Sequence, residues 1–505
     1  MKNLAGLLVI FSFLFPAFCG VEENLPYSTQ AVIKIETMDE IIQWWGGREE
    51  VLNNLKKAGI DTTKSVTYFY ISFPPSYGFT AEVGSLSSLS ALLGKKNEET
   101  YENVKISALN SPLMGCSYVF LTGKKVFFVT DLGGAKKIIR VIKGKESPLS
   151  SNSYFQQGMK QLKGGDIVGY VCFESILENF LPLIQILKKK GLEEEKEGLE
   201  KEIYEIQIEE LLKQLQKIKF VVFSIVFEKK LMKVLKVTKL ESDYIPPQGK
   251  ISFSSYLPAS SFLSLDFFLD LKERIKEAQN ISSRLNKLLE KAGEEEKAKI
   301  RKMQQAHVGL LKSLSSAIYP EIGMGAFLHL PTPSFVIVGK VKDREKFYRA
   351  INDIFSIYLE TGENIEIKDI PPFNYEGREI RGKEIIFKTE KMEKSQKLYF
   401  SADKIFFLIC FGDESILRAG WDVVLGKKPS LITRKDYSRL QKYLKSPAIG
   451  HFMISISSAI SHLKNIPIST YTAGVGGLYW KEGYLISEVY WEREDLTKLR
   501  RDLFP

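Results

Sequence analysis

The sequence predicts an α+β fold made of two tandem copies of one domain, each an antiparallel sheet with helices and a helical hairpin insertion. Two stretches lead to this prediction: YVFLTGKKVFFVTDLGGAKKIIRVIKGKESPLS at 118–150 and KLYFSADKIFFLICFGDESILRAGWDVVLGKKPSL at 397–431. Each reads as an apolar strand, a tight turn, a second apolar strand, a helix start and a Gly-Lys stop. Strands joined by tight turns pair antiparallel. Because helices alternate with these hairpins, we expect a layered domain with helices on one face of the sheet.

The correspondence extends over most of the chain, which indicates duplication of a whole domain rather than a solenoid of short repeats. Leu25-Pro26 opens the first copy and Leu257-Pro258 opens the second. Both copies close with a predicted hairpin, whose turns lie at Lys229-Lys230 and Glu482-Gly483. Prolines and a glycine in DYIPPQGK interrupt the chain between the copies. We therefore predict domains at 20–246 and 250–505.

The helix that follows each repeated hairpin has an apolar stripe. In the first copy, Ala135, Ile138, Ile139 and Ile142 recur at helical spacing, which predicts a helix packed on the sheet. In the second copy, Asp413 stands where a side chain caps the first turn of a helix.

Two insertions, at 175–218 and 266–318, carry apolar residues in steps of three and four, which predicts helices. Gly191 and Gly293 are natural reversal points, so each insertion reads as an antiparallel helical hairpin. In the second arm, burial of the repeated apolar residues would let the hairpin hold its own shape. The sequence leaves open whether the arms pack on the sheets or project towards a partner. The seam residues of the second arm are Ile275, Leu285, Leu288, Met303, Leu310 and Leu314.

The N-terminus has the pattern of a signal peptide over residues 1–19. Lys2 precedes an apolar run at 4–15 that is shorter than the roughly 20 residues of a membrane span. Ala17 and Cys19 then offer the small residues of a cleavage site before Gly20. The alternatives are a retained N-terminal anchor and lipidation at Cys19, although Phe18 and Pro16 do not fit a lipobox. No later segment reads as a membrane span, so we expect an exported, periplasmic or extracellular protein.

Composition is typical of a globular chain with a substantial core, since 44% of the residues are hydrophobic. The formal net charge is +10, but both signs are mixed along most segments and no nucleic-acid module is recognisable, so we expect no nucleic-acid partner. Cys116, Cys172 and Cys410 remain after cleavage. They form neither a zinc spacing nor a disulfide framework, and we expect buried free thiols.

Motifs in the second copy resemble a known family. Pro333-Ser334-Phe335 opens a strand, Tyr375 and Gly377 mark a turn, and Tyr437 with Leu440 follow the hairpin-to-helix unit. This pattern is similar to that of a bacterial family of secreted or envelope-anchored proteins of unknown function, domain-of-unknown-function family 3352. The resemblance covers most of the second copy and, more weakly, the first. It implies an architecture and a compartment, and it implies no catalytic residues.

The sequence predicts no catalytic, cofactor-binding or metal-binding residue. Its four histidines form no ligand spacing, and GWDVVLGKK at 420–428 fails as a phosphate loop and reads as a helix ending at a glycine. DLGGAKK, with Lys136 and Lys137 near a helix start, is a candidate anion contact or a plain helix N-terminus. Trp44 and Trp45 are candidate interaction residues or core.

These observations predict a non-enzymatic extracytoplasmic protein that acts through protein–protein or cell-envelope contacts. The alternative is a hydrolase or a ligand-binding carrier whose site lies at the junction of the two repeats. No cofactor is expected under the first hypothesis. The partner and the oligomeric state are not encoded in any motif.

We predict that the exported protein begins at Gly20, because the small residues at 17 and 19 fit signal peptidase. N-terminal sequencing of protein recovered from the envelope or the medium checks this. Replacing Ala17 and Cys19 by Leu, which removes the small side chains, should leave the precursor uncut. A mature chain that starts at Met1 or Lys2 would contradict the prediction.

Overall fold

A computed structural model of the chain describes residues 22–39, 41, 49–72, 76–113, 115–182, 186, 199–242, 244–289, 293–328, 333–361, 365–389, 392–455 and 473–494. The predicted signal peptide at 1–19 lies outside these ranges. The chain divides into two compact units. Unit one comprises Met1–Glu193, Glu209–Asp243 and Lys481–Glu488, and unit two comprises Glu194–Ile208, Tyr244–Trp480 and Val489–Pro505. The change between residues 243 and 244 falls at the start of DYIPPQGK.

The first half of the chain alternates strands and helices. Its strands are β1 Ala31–Ile35, β2 Val66–Ser72, β3 Ser76–Glu82, β4 Leu93–Tyr101, β5 Val104–Leu113, β6 Cys116–Thr122, β7 Lys125–Val129, β8 Ile167–Val171, β9 Ile218–Phe227 and β10 Leu231–Leu240. Its helices are α1 Glu49–Lys57, α2 Leu86–Ala91, α3 Leu132–Ile142, α4 Ser153–Met159 and α5 Leu199–Gln216. Residues 173–182 are also helical. The strands of unit one lie in the order β10–β9–β8–β1–β2–β3–β7–β6–β5–β4, and neighbours pair antiparallel.

The second half follows the same plan. Its strands are β11 Leu263–Phe268, β12 Ile318–Phe327, β13 Ser334–Val341, β14 Ile365–Tyr375, β15 Arg378–Thr389, β16 Met392–Ala402, β17 Phe406–Phe411, β18 Gly450–Ser455, β19 Ala473–Lys481 and β20 Tyr484–Glu492. Its helices are α6 Leu271–Leu289, α7 Glu294–Ala317, α8 Arg344–Thr361, α9 Glu414–Val424 and α10 Lys435–Gln441. Unit two has the antiparallel order β19–β18–β11–β12–β13–β17–β16–β15–β14.

This mixture of helices and antiparallel strands agrees with the predicted α+β class. The order β9–β8–β1–β2–β3–β7–β6–β5–β4 in unit one corresponds strand for strand to β19–β18–β11–β12–β13–β17–β16–β15–β14 in unit two. The short helices α3 and α4 stand after β7 as α9 and α10 stand after β17. The closing turns lie at Lys229-Lys230 and Glu482-Gly483, as predicted.

Helices cover both faces of the unit-one sheet, so the expectation of helices on one face was wrong. One core cluster joins α3 and α4 to Phe127 and Val129 of β7. A second cluster joins α1 and α2 to Val126 and Phe128 of the same strand. Because alternate residues of β7 enter different clusters, the strand is buried on both sides. A strand that is buried on both faces is a continuous apolar run without alternation. The run VFFV therefore gives no pattern from which the covered faces could be predicted.

The helices α3 and α9 begin and end in the same way. The Asp413 carboxylate accepts a hydrogen bond from the Ser415 N–H at 2.7 Å, which confirms the predicted cap, and Asp131 accepts one from the Gly134 N–H at 2.8 Å. At the C-termini, Gly144 and Gly426 have φ values of 70° and 72°. Only glycine adopts this left-handed conformation without strain. The predicted glycine stops are therefore confirmed.

The second arm is shorter than the predicted 266–318, because residues 266–268 belong to β11 and residue 318 begins β12. Helix α7 packs against both α6 and α8. Its last residue, Ala317, lies in a core cluster with Phe347 and Ile351 of α8. The arm therefore contributes to the layer that covers the sheet. Four seam residues whose side chains are described are half-buried: Ile275, Leu285, Leu310 and Leu314.

We expect replacement of residues 272–315 by a short Gly/Ser linker to leave a cooperative unfolding transition but to lower its midpoint. Helix α8 would lose the helix that packs against it, and buried apolar surface would become exposed. Urea unfolding followed by circular dichroism measures this. An unchanged midpoint would show that the arm stabilises only itself.

Candidate ligand site

Lys136 contacts an acidic and an aromatic side chain of its own unit. Its ammonium group forms an ion pair with Glu99 at 2.6 Å and lies 5.4 Å from the centroid of the Tyr101 ring. Lys137 lies on the exposed side of the same helix. The N-terminus of α3 is already capped by Asp131. Trp44 and Trp45 lie outside the described residues. A contact of Lys136, Lys137, Trp44 or Trp45 with a partner stays a prediction.

The cysteines and histidines of the described residues form no ligand cluster. Cys116, Cys172 and Cys410 are buried free thiols, as predicted, and burial raises the pKa of Cys116 and of Cys410 to about 12. Within the described ranges, no group of three His, Cys, Asp or Glu side chains is placed to hold a metal ion. Burial lowers the pKa of His451, whose ring nitrogen lies 3.3 Å from the Lys445 carbonyl oxygen.

Unit two contains a cavity of about 620 Å³ at one end of its sheet. It lies where the irregular start of β12 meets the turn between β16 and β17. Phe268 and Tyr319 supply aromatic side chains to its walls, Ile405 supplies an exposed aliphatic side chain, and the fully buried Phe253 lies beside it in the core. The volume lies within the range of small-molecule sites in proteins.

A cluster of aromatic rings holds Phe253 in the core beside one wall of the cavity. Phe253 lies 5.6 Å from Tyr256 and 6.4 Å from Phe406, and the latter two rings are 4.8 Å apart, measured between centroids. Phe253 itself is fully buried. It fits there because residue 323 opposite is glycine: a Cβ at Gly323 would lie 2.8 Å from the Phe253 Cβ. The wall is therefore packed in place without a ligand.

Three charged side chains line the cavity: Glu321, Lys340 and Lys404. The Glu321 carboxylate accepts hydrogen bonds from the Ser252 N–H at 2.6 Å and from the Ser252 hydroxyl at 2.9 Å. Both lysines are exposed, and within the described residues neither ammonium group has a hydrogen-bond or ion-pair partner. The cavity thus combines apolar walls with two available cationic groups.

Two carboxyl groups attach the turn at Phe253–Ser255 to the sheet. Glu321 binds Ser252, and a carboxyl oxygen of Asp266 accepts a hydrogen bond from the Ser254 N–H at 2.8 Å. Asp266 is only 3% exposed, and its other oxygen has no hydrogen-bond partner among the residues that the structure describes. Burial and the negative charge of Glu321 raise the pKa of Asp266 to about 8. A pKa in this range favours the protonated form of Asp266 at pH 7.

Unit one has no acid at the equivalent positions. Asp266 pairs with His451 in the sheet, and the corresponding pair in unit one is Val32 with Tyr170, both fully buried. Thr67 and Thr80 occupy the places of Glu321 and Lys340, and both are fully buried too. The fold therefore does not require charged groups in this row of the sheet.

Sequence reasoning missed Asp266, Glu321 and the two lysines. The available signal was Asp266 in the apolar stretch FLSLDFFL, which we assigned to the start of the helical arm. Glu321, Lys340 and Lys404 come from three separate segments and share no motif. Only the pairing of β11 with β12 and of β12 with β13 brings the acids and Lys340 together.

Comparisons with known proteins give little further information. No family model matches the chain, and no curated protein matches it. Crystal form I of TP0453 matches with a TM-score of 0.27 and 7% identity over 45% of this chain and 82% of that one. Crystal form IV gives 0.23 and 15% over 47% and 80%, and form III gives 0.20 and 13% over 50% and 98%. At these TM-scores the likeness carries no argument about fold or function.

Among the described residues, no helix is both long enough and apolar enough to cross a membrane.

We expect the free energy of unfolding to fall as pH rises from about 4 to about 8. In this window the folded protein keeps a proton on Asp266, whose ordinary pKa is 3.8, while the unfolded chain has released it. The slope contributed by this group is at most about 1.4 kcal/mol per pH unit. Urea unfolding at pH 5 and pH 8.5 measures the change.

Asp266→Asn is the matched variant, because its amide oxygen can still accept the Ser254 N–H. It should remove this part of the pH dependence and be more stable than the wild type at pH 8.5. Asp266→Val, which copies Val32, should also lose the dependence but leaves the Ser254 N–H without its acceptor. Equal pH dependence in the wild type and Asp266→Asn would contradict a buried neutral acid.

Proposed function

We propose that the chain is an exported, non-enzymatic protein that acts by binding a component of the cell envelope or of the extracellular medium. We further propose that the cavity of unit two is its binding site. The observation that carries the proposal is the cavity itself: about 620 Å³, with Phe268 and Tyr319 in its lining and two exposed lysines that have no partner in the described residues.

The core beside one wall of the cavity is packed before a ligand arrives. Phe253 is held by two neighbouring rings and by two carboxyl groups that attach its turn to the sheet. A rigid wall does not have to be ordered when a ligand binds, and this lowers the entropic cost of association. The cavity is thus suited to hold a ligand with appreciable affinity.

The chemistry of the lining favours holding a ligand over transforming it. Glu321 already accepts hydrogen bonds from Ser252, and Asp266 lies behind the wall with 3% exposure, so neither carboxyl is placed to exchange protons with a ligand. Aromatic rings and ammonium groups supply contact area and charge. The alternative from the sequence placed a ligand between the repeats, whereas our proposal places it inside unit two.

We also propose that the two units arose by tandem duplication and that the chain is related to domain-of-unknown-function family 3352. The corresponding strand orders and the matching ends of α3 and α9 support duplication. Family membership is supported by the sequence motifs of the second copy. Export is supported by the leader pattern at 1–19, and the mixed surface charges favour a protein or envelope component over nucleic acid.

A photo-crosslinking residue placed at Ile405, on the rim of the cavity, tests the binding site in intact cells. We expect illumination to join it to one defined molecule, detected by mass spectrometry. Phe387 is the matched control, because it is another exposed large apolar residue of the same unit, at 40% exposure against 57% for Ile405. The product should form at 405 and not at 387.

Pro320→Trp, which adds an indole ring to the lining of the cavity, should abolish the product by occupying part of its volume. Pro320 is exposed, so the substitution does not disturb the core. Equal labelling at positions 405 and 387, or labelling that survives Pro320→Trp, would refute the cavity as the binding site.

A further inference from the structure

We propose that the cavity of unit two binds a small amphipathic monoanion, such as an alkyl or aryl carboxylate or sulfonate. Its charged head would lie between Lys340 and Lys404, and its apolar body would lie against Phe268 and Tyr319. This assignment rests on the proposed function, because it names the ligand class of the same site.

Charge selects the head group. The cavity carries two lysines and one glutamate, which gives a net charge of +1 (2 − 1 = +1). The Glu321 oxygens are engaged by Ser252, while the lysines are unpartnered within the described residues. Two other lysines of unit two are engaged in ion pairs: Lys427 pairs with Glu376 at 2.6 Å and Lys428 with Asp422 at 2.8 Å.

The same charges limit the size of the negative charge. A carboxylate or sulfonate head gains charge-assisted hydrogen bonds from two ammonium groups. A dianionic phosphate would meet the additional repulsion of Glu321 in the same cavity. A cationic ligand would face two lysines and a carboxylate that is already hydrogen-bonded. The lining therefore favours a single negative charge.

The apolar body is selected by side chains that are unusually open to solvent. Ile405 is 57% exposed and Tyr319 is 48% exposed, although both line the cavity. The Tyr319 ring is held by Lys342, whose ammonium nitrogen lies 5.4 Å from the ring centroid. A ligand with an alkyl or aryl body would remove this apolar surface from water, which is favourable in proportion to the buried area.

Unit one serves as an internal reference for the assignment. Thr67 and Thr80 stand at the places of Glu321 and Lys340, and both are buried at 0% exposure. Of these two equivalent rows, the one in unit two carries the charged residues and the one in unit one does not. One ligand per chain is the expected stoichiometry.

Matched pairs of probes test the head and the body separately. The first pair is 1-anilinonaphthalene-8-sulfonate and the neutral N-phenyl-1-naphthylamine, which lacks the sulfonate and is followed by fluorescence. The second is decanoate and decanol, followed by calorimetry with the full chain. We expect each anion to bind about tenfold or more tightly than its neutral partner, as expected for charge-assisted contacts.

The double variant Lys340→Gln/Lys404→Gln should weaken anion binding about tenfold or more and change binding of the neutral probes less than about twofold. Lys397→Gln is the control, because Lys397 is an exposed lysine of unit two that does not line the cavity. It should bind both classes like the wild type.

Two results would overturn the proposal, and they differ in what else they affect. Equal binding of anions and neutral partners, unchanged by the double variant but blocked by Pro320→Trp, would refute the ligand class and keep the cavity as a binding site. Binding of no probe, together with no product from the crosslinker at position 405, would refute the ligand class and the proposed function together.

Discussion

Burial of the central strands on both faces is the constraint on which each unit depends. Strands such as β7 direct alternate side chains into two separate cores, so neither face is free to take polar residues without cost. A buried polar group needs a hydrogen-bond partner, and a buried charge is costlier still. The few ionisable groups inside such a layer are therefore informative, because they persist against a free-energy penalty.

Asp266 is the clearest departure from this constraint. Its counterpart Val32 shows that an apolar side chain fits the same place in the fold. The carboxyl group weakens the core of unit two at neutral pH, yet it holds the turn that carries Phe253 through Ser254. Apolar burial is lost at Asp266, but Asp266 and Glu321 together hold the turn beside the cavity wall in a fixed position. The gain is positional rather than energetic.

The comparison of the two units shows that charged groups and a cavity are compatible with this strand order. Where unit one keeps Thr67 and Thr80 buried, unit two has Glu321 and Lys340, and a cavity lies beside them. The strand order is unaffected, because register depends on backbone pairing and on the apolar rows of the sheet. The arm varies in the same way: α6 and α7 stand between the first two strands of unit two, where the described residues of unit one hold α1 and a few helical residues at 38–39 and 41.

The sequence by itself determined the local elements of this protein. Hairpin turns, helix caps at Asp413 and glycine stops at Gly144 and Gly426 depend on residues within one or two turns of the chain, so their physics is readable locally. The tertiary structure alone decided which faces are covered, because VFFV has no alternation to reveal it. It alone also decided the candidate site. Asp266, Glu321, Lys340 and Lys404 are separated by up to 138 positions (404 − 266 = 138), and strand pairing and turn packing bring them together.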